Sequence, residues 1–132
     1  MIKTKQLMNT VMGLACVCLM WSASVGMAAN PDEQVRPVLD KLLKAVEAND
    51  YESFVADGTD AFKTGITKQI FESVSKQMVP RMKKGYTCFY LGDLKQQGCS
   101  VYLWKLVYKD GENDTLAKLV LTGDKVAGVL FQ

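Results

Sequence analysis

The chain has 132 residues, with 16 Lys and Arg against 14 Asp and Glu, 4 Cys and no His. The missing imidazole excludes Ser-His-Asp and Cys-His machinery, histidine zinc sites and the commonest general base. The formal excess of +2 equals Lys3 and Lys5, so the rest of the chain is close to neutral, and its scattered basic residues do not suit a nucleic-acid partner.

Residues 1–29 read as a signal peptide. Lys3 and Lys5 precede an apolar run from Val11 to Trp21, and Gly26-Met27-Ala28 sets small residues where a peptidase cuts, after Ala28 or Ala29. An uncleaved anchor is the competing reading, since the apolar run is near the lower limit for spanning a bilayer. Lipid attachment at Cys16 fits poorly, because Gly13 stands where a lipobox has a branched residue. The expectation is therefore an exported protein, periplasmic or secreted, with no membrane attachment after cleavage. Residues 30–132 suffice for a single domain with one modest core.

Asn30-Pro31-Asp32-Glu33 opens a helix: Asn30 caps, Pro31 suits the first position, and Glu33 can close a capping box. Val35, Leu39, Leu42, Leu43 and Val46 form its apolar stripe, and Pro37 moves the expected regular start towards Arg36. Asn49-Asp50 stops it and caps a short helix anchored by Phe54 and Val55, which Asp57-Gly58 ends. Thr67 caps a longer helix with the stripe Ile70, Phe71, Val74 and Met78, bent at Pro80 and ended by Lys83-Lys84-Gly85.

From Tyr86 the period becomes two. Strands are predicted over Tyr86 to Leu91, Cys99 to Lys109, Thr115 to Thr122 and Val126 to Phe131, with turn residues between them short enough to require antiparallel neighbours. The fold class is α+β, two or three N-terminal helices packed on a curved four-stranded antiparallel sheet. Both sides of the second strand are apolar: Tyr102, Trp104, Leu106 and Tyr108 on one, Val101, Leu103 and Val107 on the other. A second copy is expected to cover the outer face, giving a homodimer.

Thr67-Lys68-Gln69-Ile70-Phe71 at a helix start, Leu91-Gly92, Lys118-Leu119-Val120-Leu121 and Asp124-Lys125-Val126-Ala127-Gly128-Val129, in this order after the N-terminal helices, resemble small exported members of the NTF2-like superfamily. These have a cystatin-like fold, and many belong to domain families of unknown function. The resemblance covers residues 30–132 and rests on pattern. It implies a cone-shaped pocket between sheet and helices, for which Phe54, Phe62, Phe71, Tyr102 and Trp104 supply candidate ligand-binding aromatics. At helical or strand spacing such residues also serve as plain core.

Catalytic members of that superfamily carry acids, histidines or tyrosines inside the cone. Here the inner strand positions have no acid or histidine, and no catalytic residue is named. Tyr102 with Glu72 is the one conceivable proton-transfer pair, and Glu72 is more simply solvated. Asp57 and Asp60 read as a helix stop and cap, and Asp110, Glu112 and Asp114 as a hairpin turn, not a calcium loop, since Leu121 stands where the bidentate glutamate belongs. No metal or other cofactor is expected. The reading is a noncatalytic exported module binding a small apolar ligand or a protein partner, with a cone-pocket isomerase or dehydratase as the alternative.

Cys88 and Cys99 complete the sequence-based expectations. In an exported compartment, without histidine or a Cys-x-x-Cys spacing, they suggest a structural disulfide across the first hairpin, with a loop from Gly92 to Lys95; two buried free thiols are the competing reading.

Overall fold

The computed structural model describes residues 30–132, so the signal peptide, the anchor alternative and Cys16 lie outside the described residues. Four helices precede four strands: α1 Pro31–Glu47, α2 Tyr51–Val55, α3 Asp60–Gly65, α4 Lys68–Met82, then β1 Tyr86–Gln96, β2 Cys99–Tyr108, β3 Thr115–Thr122 and β4 Lys125–Phe131. The sheet is an antiparallel meander in the order β1-β2-β3-β4. The α+β expectation holds, with four helices in place of two or three because the stretch from Tyr51 to Gly65 forms two separate short turns of helix.

The caps explain the boundaries. Side-chain oxygens of Asn30, Asp50, Thr59 and Thr67 accept from the backbone N–H of Asp32, Ser53, Phe62 and Ile70, each satisfying one orphan donor of a first turn. The start of α1 is not displaced towards Arg36, since the helix runs from Pro31 through Pro37, and Pro80 does not interrupt α4, which continues to Met82. Pro37 and Pro80 are both exposed, where water can satisfy the freed carbonyl one turn back.

Alternation sorts the strands into two faces. On the inner face Trp104, Leu106, Leu119 and Val126 are almost completely buried, meeting Leu39, Leu43 and Val46 of α1 and Phe71 of α4. Bulges between Tyr90 and Gly92 and at Ala127 bend the edge strands around this core. Ser75 donates its hydroxyl to the Val46 carbonyl at 2.6 Å, joining α4 to α1 without leaving a buried polar atom unpaired.

The first hairpin overturns the disulfide. Its turn is Gln97-Gly98, with φ of 52° and 79°, the left-handed pair of a two-residue hairpin, and Gln96 faces Cys99. This register puts Cys88 opposite Leu106, seven ladder positions from Cys99, roughly 23 Å at about 3.3 Å per residue. Cys88 lies on the inner face and Cys99 on the outer, and both thiols are free. The expected Gly92–Lys95 loop is part of β1.

Candidate functional site: an apolar cleft between α4 and β4

The space between sheet and helices, where the resemblance implied a cone-shaped pocket, is filled by side chains. Trp104 is 0% exposed and Phe71 1%, and Phe54 and Phe62 pack against each other with ring centroids 5.9 Å apart. The five sequence candidates therefore do not line one cavity. Trp104, Phe62, Phe54 and Phe71 are all core; Tyr102 is half-buried, stacked on Trp104 at 6.2 Å; Phe54 and Phe71 also line an open concavity. The volume that a superfamily cone offers a ligand is taken here by indole, leucines and phenylalanines, as a domain of this size needs for its core.

The concavity that Phe54 and Phe71 reach is a cleft of about 190 Å³ between α4 and edge strand β4. Ile70 and Val74 of α4, with Ile66 just before the helix, form one wall, and Val129, Leu130 and Phe131 form the strand wall. A second hollow of about 210 Å³ continues it along α4, sharing Val74 and Phe131 and ending at Gln77, Arg81 and Tyr108. Ile70, expected in the buried stripe of α4, is instead 48% exposed at the lip. The cause is position: Phe71 takes the core, and its neighbour points past the edge of the sheet. Sequence reasoning assigned Ile70 and Val74 to the buried stripe of α4 and missed Ile66 and the strand wall. The available signal was the pair Ile70 and Val74, one turn apart on α4.

Backbone geometry keeps this edge open. Leu116 and Gln132 exchange both ladder bonds, so Val129 and Phe131, which alternate with them, aim their N–H and C=O groups away from β3. The edge is covered only at its start, where Val126 bonds to Asp57 and Thr59 in a parallel bridge at Gly58. A Cβ at Gly58 would collide with the Phe62 ring, which accounts for glycine there.

The ionisable groups of the inner face are committed elsewhere. Asp32 accepts two bonds from Arg36, each 2.9 Å, and one from Trp104 Nε1 at 2.7 Å; the Arg36 bonds, and secondarily Trp104, hold its carboxyl below the usual carboxylate range. Arg36 also donates to the Cys88 carbonyl at 3.2 Å. Burial pushes the Cys88 thiol up, and burial with the acceptor Asp93 pushes Tyr90 up to about 12, so both stay protonated at neutral pH. Glu72 is exposed beside Glu47 and Lys76, on a different part of the surface from Tyr102, and the conceivable proton-transfer pair is not assembled. Asp57 pairs with Lys41 and Asp110 with Arg81; Asp110 is held low chiefly by that bond. Among the described residues no group of three metal-ligating side chains forms, and no helix is long and apolar enough to cross a membrane.

No protein-family model and no curated protein matches the chain. Among solved structures it is similar to an uncharacterized cystatin fold protein from Novosphingobium aromaticivorans, at 14% identity over 73% of this chain and 95% of that one, with a TM-score of 0.37. A likeness of that size carries no argument about the site, and the fold assignment rests on the element order and strand pairing given above.

Proposed function

We propose that this chain is a noncatalytic exported binding module, and that it takes a small apolar ligand in the α4–β4 cleft. The observation that supports this is the chemistry of the cleft wall: eight residues, Phe54 to Phe131, all apolar, with Ile70 left 48% exposed at its lip. Such surface is normally covered, and covering it gains about 25 cal/mol per Å². A cleft of about 190 Å³ is smaller than the roughly 300 Å³ at the low end of ordinary ligand pockets, but the hollow of about 210 Å³ continues it along α4, and together they suit an aliphatic chain or a flat fused-ring molecule. Catalysis is disfavoured because the carboxylate inside the fold is locked to Arg36 and Trp104, and the buried thiol and phenol are shifted away from neutrality.

The experiment is titration with the fluorescent apolar amine 1-aminoanthracene, with native mass spectrometry of protein taken from its own compartment. One bound molecule per chain is expected, lost in Ile70→Glu and unaffected by Lys44→Glu in the polar groove between α1 and α2. Unchanged binding in Ile70→Glu would move the ligand elsewhere. Absence of any bound molecule would end the small-ligand reading.

A further inference from the structure

The outer sheet face has a partner chemistry of its own and shares only Leu130 with the cleft. Ladder register defines the face: Leu94, Val101 and Val120 lie in one row, Leu103 and Leu130 flank them, and Phe89 extends the field along β1. Leu94, Leu130 and Phe89 are 43%, 47% and 48% exposed. Nothing of the described chain packs over them, since all four helices lie on the other side. Scattered exposed hydrophobics need no explanation, but a contiguous field across four strands marks a docking surface.

Charge decides what docks. Lys105 faces Leu116 and Lys118 faces Leu103, so the two lysines are diagonal neighbours inside the apolar field, with Cβ atoms roughly 7 Å apart. Lys105 Nζ rests 5.6 Å from the Phe89 ring centre. The four strands contain a single acid, Asp93, which pairs with Tyr102 on the inner side and accepts the Tyr90 hydroxyl. The outer face is thus apolar with two central cations and no anion.

A second copy, the occupant expected from the sequence, would set lysines against lysines when this face meets itself, and desolvating unpaired cations is costly. A lipid surface suits cations at the rim of an apolar patch, where they reach headgroups while the centre enters hydrocarbon; here the cations are at the centre. We infer that the outer sheet face docks a different protein, whose contacting surface is apolar and carries carboxylates placed to meet Lys105 and Lys118. Each lysine then gains a partner in the dry centre of the contact, where such pairs fix orientation and reject wrong partners.

Two short peptides with identical alternating leucines, one bearing glutamate and the other lysine between them, test this by fluorescence anisotropy. The glutamate peptide is expected to bind and the lysine peptide not to. Lys105→Glu with Lys118→Glu weakens the glutamate peptide by at least about tenfold, while Lys44→Glu with Lys76→Glu, an equal change in net charge on the helical side, leaves it unchanged. If the first pair fails to fold by circular dichroism, Lys105→Gln with Lys118→Gln gives the same readout with a smaller loss. No binding of the glutamate peptide, equal binding of both peptides, or an affinity indifferent to the outer-face lysines overturns the proposal. So does a dimer of the isolated protein in sedimentation, which assigns the face to a second copy, or tighter binding to phosphatidylglycerol vesicles than to the glutamate peptide, which assigns it to lipid.

Discussion

The two edges of the sheet are finished in different ways. At β1 the edge carbonyl of Cys88 takes two bonds from Arg36, whose guanidinium is held by Asp32, which in turn accepts from the buried Trp104 indole. At β4 the helical layer meets the strand through apolar contact alone beyond Val126, leaving a cleft and, among the described residues, two residues of unpaired backbone. A polar network specifies one geometry because each member has few acceptable partners, whereas an apolar contact accepts any side chain of suitable shape. The β1 edge is therefore anchored in one geometry at Cys88, while the β4 edge keeps the apolar cleft for which ligand binding is proposed.

That division is broken most directly at Trp104. Truncating the largest fully buried side chain, Trp104→Ala, should cost about 3 to 5 kcal/mol in urea unfolding, from lost burial and a residual cavity. A cost below about 1 kcal/mol would show that the β1 side is not the tight half.

Next comes Asp32→Ala, which leaves the Trp104 N–H without its acceptor and Arg36 without its fork, for about 1 to 3 kcal/mol. Its pH dependence has a definite sign. The folded carboxyl lies below its ordinary value, so its stabilisation is complete above the unfolded value of about 4 and is lost as pH falls through the lower folded value. The stability gap between wild type and Asp32→Ala should be constant from neutrality down to about pH 5 and close below about pH 4. Asp50 and Asp110 are also held low, so total stability falls in the same window, and only the difference between the two proteins isolates Asp32.

Sequence patterning reached as far as local rules reach. Caps at Asn30, Asp50 and Thr67, the apolar stripe of α1 and the strand order follow from residue type and period, and all are present. The first hairpin register did not follow, because Gly92-Asp93 has the composition of a turn while the chain turns at Gln97-Gly98. Gly92 serves a bulge beside Leu91, and bulge and turn draw on the same residues. The site was half legible. Phe54 and Phe71 were named, but whether an aromatic fills a core or lines a cleft depends on which element lies opposite, and that is a long-range fact. The Asp32–Trp104 bond joins residues 72 apart and left no local trace.

On the open side the expected effects separate binding from stability. Ile70→Ala removes a side chain that is 48% exposed, so its cost should stay under about 1 kcal/mol, well below the 2 to 5 kcal/mol of Leu39→Ala in the core. The same change should weaken 1-aminoanthracene clearly, because about half of the side chain already lies at the cleft lip. A large stability loss with intact probe binding would reverse the assignment of the two edges.

The smallest effect is expected at Cys99, one of two cysteines that lie at different heights on the two faces and so sample both environments. Protein lacking residues 1–29, unfolded without reductant, should label two thiols per chain, because the register keeps Cys88 and Cys99 about seven ladder positions apart. Cys88→Ser should cost about 1 kcal/mol, since it places a hydroxyl against the partly buried inner wall between Tyr86 and Tyr90. Cys99→Ser should be close to neutral, within about 0.5 kcal/mol: its sulfur sits 3.3 Å from Thr122 Oγ1 at the wet end of the outer face, and a serine hydroxyl can keep that contact. Unfolding midpoints equal with and without dithiothreitol would agree with both. A reductant-dependent midpoint with no label incorporated would require β1 to slide against β2 until the two sulfurs met. That slide would carry Cys88 away from Arg36 and break the two bonds that anchor the β1 edge.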